Sequence, residues 1–386
     1  MRLRDRGVSW WASAHGDRAA LRPTLFICSV LDTGGAERHW ETLIPALEEA
    51  GQPARLVAVK AGGRAFDSIA QSGIPARVLR GRGGLVSLAK LPHLLSESRA
   101  RPGVVVSWGV DAHVLGTVVA RRLKIPHLIH WHAGPGSTLS RSQRLALNLV
   151  ARSGAGAIAV SKAQIGELNG FGFRSAAVRV APAGVPDPAR EFDTRASARS
   201  ALGLSESAFI PLLVGRLATE KRVDRFVESV AKLRHKGVDA QGVVVGDGPE
   251  LRRISAASQT AVKFVGFQRQ PANFMIAADV VCLTSDREAM PLTLLEAAAC
   301  GRATVAMDVG GVHEAVVDAV TGFVTPQGDV DTFVDVLTRL AADPGRAEAL
   351  GERGRARWSQ SFSVDTMVRW YLELLHEVGT SPIDGT

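Results

Sequence analysis

A chain of 386 residues is longer than one hydrophobic core usually serves, so two domains are expected. With 46% hydrophobic and 22% charged residues the composition is that of a globular protein, which excludes a disordered or fibrous chain, and no apolar run approaches bilayer-spanning length. The net charge of +8 sits in the first half: residues 1–190 hold 25 Lys/Arg against 12 Asp/Glu, residues 191–386 hold 21 against 26. That half should attract an anionic partner such as a phospholipid surface or a lipid diphosphate, although an arginine-rich codon bias would give the same count. No nucleic-acid partner is expected, since aromatics are only 5% and no binding motif is present.

The opening stretch, MRLRDRGVSWWASAHGDRAALRP, lacks the apolar core of a signal peptide. Residues 1–22 are expected to form a disordered extension, in which Trp10 and Trp11 beside arginines would suit a membrane interface. From there β-branched apolar runs alternate with helical patterns, which argues for parallel α/β architecture. TLFICSV is the first strand, and the loop DTGGAERHW follows it. Gly34 and Gly35 there would let backbone approach a ligand at the start of a helix, AERHWETLIPALEEAG, though a tight turn accounts for them too. ARLVAVK, ARVL and GVVVSWG are the next strands. In HLIHWH, His130 and His132 alternate along a strand and share a face. Two histidines could hold a metal, but no third ligand lies nearby, so none is expected. One of them suits a polar contact at an active site, against the plainer alternative of a satisfied core histidine. AIAVS and VRVAP complete the first half.

The stretch APAGVPDPAREFDTRAS, rich in proline, glycine and charge, reads as a linker. Beyond it the strands are FIPLLVG, QGVVVG, VKFVG, VVCLT and ATVAM, with helices at RVDRFVESVAKLRHKG, PELRRISAASQ and PLTLLEAAACG. The fold class is therefore α/β, two Rossmann-like doubly wound domains facing a cleft, with ligands beyond the carboxyl ends of the strands. In VGRLATEKRVDRF, Arg216 and Lys221 follow a strand and suit a diphosphate, or are solvated charges. In VVVGDGPE, Gly246 and Gly248 flank Asp247 in a strand-to-helix turn that needs no ligand to explain it. The three cysteines, Cys28, Cys282 and Cys300, are far apart, show no metal spacing and suggest a reducing compartment.

The most informative stretch is DREAMPLTLLEAAACG. Pro291 fixes its own φ and disfavours helix at Met290, so a helix is expected from Pro291 to a C′ residue at Gly301. Glu288 then lies in the preceding loop and Glu296 in the second turn. The amides of Leu292, Thr293 and Leu294 are left without intrahelical acceptors, an anion site with an acid on either side. A loop acid and a solvated helix acid would explain the same spacing.

Taken in order, these segments resemble the family 4 glycosyltransferases, retaining enzymes of the GT-B fold. The resemblance runs from about Leu25 to Val378 and rests on the Gly-Gly-Ala-Glu-Arg loop at Gly34, His132, PAGV at Pro182, GRLATEK at Gly215, GDGPE at Gly246, the Glu288/Glu296 pair, GGVHEAV at Gly310 and TGFVTPQGD at Thr321. It implies that Arg216 and Lys221 bind the donor diphosphate, that Glu288 contacts the donor sugar and that Glu296 holds the ribose hydroxyls. The amides after Met290, Leu292 first among them, would bind phosphate or sugar, with Met290 and Pro291 beside the donor. Gly34, Gly35 and Gly246 would line the donor, and His132 would stand at the reaction centre. Ala183, His313, His39 and Trp40 depart from the family's usual residues without removing a proposed chemical group.

The expected domains are an N-terminal acceptor-side unit over residues 23–184, a nucleotide-sugar-binding unit over residues 185–365, and a terminal helix and tail, 366–386, returning toward the first. The expected function is transfer of a sugar from a nucleotide-diphosphate sugar to a hydroxyl acceptor, lipid-linked or not, in cell-surface polysaccharide or glycolipid synthesis. Neither metal nor other cofactor is expected, and the protein is read as cytoplasmic, with attachment to the inner face of the membrane as a further option. A nucleotide-sugar epimerase of the same fold, or a sugar-nucleotide-binding protein without catalysis, are the alternatives.

Overall fold

A computed structural model describes residues 22–32, 34–79, 101–133, 139–188, 191–192, 194–257 and 262–380. The expected N-terminal extension, Arg22 apart, and the glycine loop after His132 lie outside the described residues. The chain divides into two compact units, one running to Gly184 and resuming at Val364, the other Val185–Ser363.

The first unit runs β1 (Thr24–Cys28), α1 (Gly35–Glu49), β2 (Ala54–Ala58), α2 (Arg64–Gln71), β3 (Ala76–Val78), β4 (Val104–Trp108), α3 (Val110–Leu123), β5 (His127–Trp131), α4 (Arg141–Arg152), β6 (Gly156–Ala159), α5 (Ile165–Gly170) and β7 (Val178–Val180). Its seven strands form one parallel sheet in the order β3-β2-β1-β4-β5-β6-β7. Both faces are covered, which is why the strands read as unbroken apolar runs. Leu25 and Ile27 of β1 pack with Leu115 and Val119 of α3. Phe26 and Cys28 face the other way, toward Leu43, Ile44 and Leu47 of α1. Each such large side chain withdrawn from water stabilises the unit by about 1.5–3 kcal/mol before entropy is counted.

The second unit runs α6 (Arg195–Leu202), β8 (Pro211–Val214), α7 (Val223–His235), β9 (Gly242–Val245), α8 (Leu251–Ala257), β10 (Val262–Phe264), α9 (Ala272–Ala277), β11 (Val280–Leu283), α10 (Leu292–Ala299), β12 (Ala303–Met307), α11 (Val312–Ala315), β13 (Phe323–Thr325), α12 (Val330–Ala342) and α13 (Pro344–Ser361). Its sheet is again parallel, in the order β10-β9-β8-β11-β12-β13. β13 is a strand that sequence patterning does not announce: it has three residues, too few for a periodic signal, and lies inside the TGFVTPQGD motif. The last helix, α14 (Val364–Thr380), belongs to the first unit, where Met367, Tyr371 and Leu375 join the core built on α1 and β1. The two Rossmann-like units expected from the sequence are present. No helix among the described residues is long and apolar enough to cross a membrane.

Candidate active site

In the second sheet the strand order reverses between β8 and β11, which are neighbours. At such a switch point the loops leaving the two carboxyl ends diverge and open a crevice. The loop after β8 carries Arg216 and Lys221, and the loop after β11 carries Glu288. Residues 67 apart in sequence therefore meet: Lys221 Nζ donates to Glu288 Oε1 at 2.7 Å, and Ser285 Oγ donates to the same oxygen at 2.6 Å. Glu288 is 7% exposed, so its carboxylate is largely out of water and its paired cation offsets the desolvation. Neither Lys221 nor Glu288 is exhausted by the pair, since an ammonium has two further donors and a carboxylate has a second oxygen.

The two loops are also joined through backbone. Thr284 Oγ1 donates to the carbonyls of Lys221 and Arg222, at 3.2 and 3.0 Å, and the Asp286 amide donates to the Glu220 carbonyl at 2.8 Å. Arg222 takes a left-handed backbone, φ 48°, where the short helical turn Thr219–Lys221 passes into α7. Arg225 and Arg222 bond the Asp286 carboxylate at 2.6 and 3.2 Å. Burial pushes that carboxyl up, but the two guanidinium bonds outweigh it and hold it below the usual aspartate range. Arg216 differs from these: it is exposed and its side chain makes no hydrogen bond or ion pair among the described residues.

Helix α10 begins at Leu292, not Pro291. Proline fixes φ but not ψ; Pro291 has φ −78° and ψ 89°, so it is the N-cap, and the helix ends at Ala299 with Gly301 in the expected left-handed C′ conformation, φ 68°. The expected trio of open amides is reduced to two. Leu294 donates to the Pro291 carbonyl at 3.0 Å, while the amides of Leu292 and Thr293 have no acceptor among the described residues. Thr293 Oγ1 donates to the carbonyl of Val214 at 3.3 Å, fixing the helix start to the end of β8 two residues before Arg216. Glu296, half-buried, stands one turn further along.

Glycines hold these loops at backbone contact. A Cβ on Gly246 would lie 1.8 Å from the Gly215 carbonyl oxygen, so the GDGPE turn is a brace under the Arg216 loop. A Cβ on Gly310, at φ 52°, would lie 1.7 Å from the carbonyl oxygen of Glu288. Gly310→Ala should therefore displace Glu288 and cost about 1–3 kcal/mol of stability, read by urea denaturation. An unchanged midpoint and slope would contradict that packing.

In the first unit, Gly34 is the N-cap of α1 in extended backbone and Gly35 its first residue, with Glu37 in the first turn. His130 is on β5 and His132 just past its end, their rings stacked at 4.3 Å and 14°. The expectation that no third metal-competent ligand lies near them fails. His39, on α1, brings its ring to 5.0 Å from His130 and 5.2 Å from His132. Tyr371 of α14 engages both His39 Nε2, at 3.2 Å, and His130 Nε2. Burial drives these rings toward the neutral form, His39 down to about 4 and His130 and His132 well below the usual histidine range. Thr284, Ser285 and the side-chain roles of Asp286 and Thr293 escaped the sequence reading although the Thr-Ser-Asp run stands one residue before Glu288; His39 entered it only as a departure from the family pattern, and Tyr371 gave no local signal.

Residues 33–187 match the model described as Glycosyltransferase Family 4, and residues 194–357 that described as Glycosyl transferases group 1. The D-inositol 3-phosphate glycosyltransferase of Kribbella flavida is 34% identical over 200 residues, 47% of each chain; the chain spans about half the length of the curated relatives it matches. Among solved structures, Anabaena Alr3699/HepE in complex with UDP aligns with a TM-score of 0.81 at 23% identity, over 92% of this chain and all of that one. The same protein with UDP-glucose gives 0.78 at 22%, over 92% of this chain and 100% of that one. WaaG, a glycosyltransferase involved in lipopolysaccharide biosynthesis, gives 0.68 at 16%, over 93% and 100%. At these identities the structural likeness concerns the fold alone. With one such family model on each half and a Rossmann-like sheet under each, the chain belongs to the glycosyltransferases and has the GT-B fold.

Proposed function

We propose that the protein transfers a sugar, a hexose in the simplest case, from a nucleotide-diphosphate sugar to a hydroxyl acceptor with retention at the anomeric carbon. The observation that carries this reading is the meeting of Lys221 and Glu288 at 2.7 Å beside the two open amides of α10, at the switch point of the second sheet. The bond from the anomeric carbon to the diphosphate oxygen breaks, and its electron pair stays with the diphosphate. Arg216, Lys221 and the α10 amides of Leu292 and Thr293 counter the charge that builds there, which leaves no need for a metal at that position. Glu288, held by Lys221 and Ser285, accepts a sugar hydroxyl, and Glu296 accepts from the ribose. Attack from the same face puts the incoming hydroxyl beside the departing diphosphate, whose oxygen takes the proton. His132 contacts the reacting sugar in this reading. The UDP and UDP-glucose held by Anabaena HepE support a nucleotide sugar as donor.

The test is a thermal-shift screen of nucleotide sugars followed by transfer assays on the donor that binds. Stabilisation by one donor and release of its nucleoside diphosphate with an acceptor present support the proposal. Free epimer from donor alone, or binding with no turnover on any acceptor tried, would replace it with an epimerase or a binding protein.

A cytoplasmic protein at the membrane surface, working in cell-surface polysaccharide or glycolipid synthesis, is the setting we propose. Leu145 and Leu149 on α4 are 60% and 56% exposed, one helical turn apart, with Arg141, Arg144 and Arg152 exposed on the same helix. Vesicles with anionic lipid should sediment the protein and neutral vesicles should not; equal binding to both would count against it.

A further inference from the structure

The first unit contains a cluster of three histidines, of which the donor reading uses only His132. His39 and His130 are 2% and 0% exposed, and His132 is half-buried at the end of β5. One ring nitrogen from each lies within 4.8 Å of the other two. The walls are apolar: Trp40 lies 4.9 Å from the His130 ring and Trp108 5.8 Å from the His132 ring. Two ring nitrogens, His130 Nδ1 and His132 Nε2, are buried with no hydrogen-bond partner. Unpaired polar atoms in such surroundings are costly, and native packing rarely leaves two together.

We propose that His39, His130 and His132 form a site for one divalent transition-metal ion of imidazole preference, such as Zn²⁺ or Co²⁺. Three imidazoles with one open position is an established ligand number for such an ion. Tyr371 bonds His39 Nε2 and the other nitrogen of His130, Nε2, and so would orient those two rings toward the ion. Bonds of about 2.0–2.1 Å to one ion are compatible with three nitrogens that all lie within 4.8 Å of one another. The ion would fasten α1 to β5. The inference does not rest on the donor reading: its ligands lie in the first unit, and its test reads metal and not sugar transfer.

The full-length protein, stripped with chelator and dialysed against Zn²⁺, should retain one equivalent per chain and melt several degrees higher. With Co²⁺ it should show the intense visible absorption of a tetrahedral complex. His132→Gln and His39→Gln should each lower affinity at least tenfold with unchanged circular dichroism. Absence of a stoichiometric ion and of the Co²⁺ spectrum in the unsubstituted protein would overturn the proposal, and this arm holds even if a variant fails to fold. So would a folded His132→Gln that binds Zn²⁺ as the unsubstituted protein does.

Discussion

Replacing Lys221 with alanine is expected to lower kcat/KM for sugar transfer by about 10²–10³-fold, the range seen when one donor to a developing oxyanion is removed. Two effects combine. The ammonium is lost from the departing diphosphate, and Glu288, 7% exposed, keeps only Ser285 among its described partners. The second effect costs stability too, about 1–3 kcal/mol, so the melting temperature should fall. Arg216→Ala separates the two. Its side chain has no partner among the described residues, so activity should fall while the melting temperature holds. Transfer kinetics and denaturation on both variants check this. An active Lys221→Ala enzyme would remove the ammonium from the chemistry.

Acid should destabilise the first unit strongly. His113 and His127 are buried and share Ser107 Oγ at 2.8 and 2.7 Å. Burial brings both rings down to about 3, with the His127 charge a second contribution at His113. A histidine whose folded pKa is depressed contributes its full stability above the unfolded value near 6.5. That stability is lost as pH falls toward 3, because the unfolded chain takes up protons that the folded one refuses. At pH 5 each ring costs roughly 1.36 × 1.5, or about 2 kcal/mol, so the pair costs about 4 of the 5–15 kcal/mol typical of a domain. His39, lowered to about 4, adds to the loss with the same sign. Trp40, Trp108, Trp131 and Trp370 lie in this unit and Trp358 alone in the other among the described residues. Tryptophan fluorescence should therefore report an urea midpoint that drops between pH 7 and pH 5; a constant midpoint would contradict the buried neutral rings.

The strands were legible because both faces of each sheet are covered, so β4 and β9 read as unbroken valine runs. β13 was not, being three residues long. At α10 the acids, the C′ glycine and the open helix end were readable locally, while the start was misplaced by one residue because proline leaves ψ free. What meets across the sheet was not readable. The Lys221–Glu288 pair exists because β8 and β11 are neighbours, and the contact of His39 with Tyr371 spans 332 residues. Such pairings are set by strand order, which no local window contains.

The central claim is that Arg216, Lys221 and the first amides of α10 receive the diphosphate of a nucleotide sugar. The most direct measurement is a crystal structure of the protein with UDP or GDP bound. The account predicts the β-phosphate on the Leu292 and Thr293 amides, within hydrogen-bonding distance of Lys221 and Arg216, and ribose hydroxyls on Glu296. A nucleotide seated elsewhere in the second unit, with Lys221 still bonded only to Glu288, would contradict it.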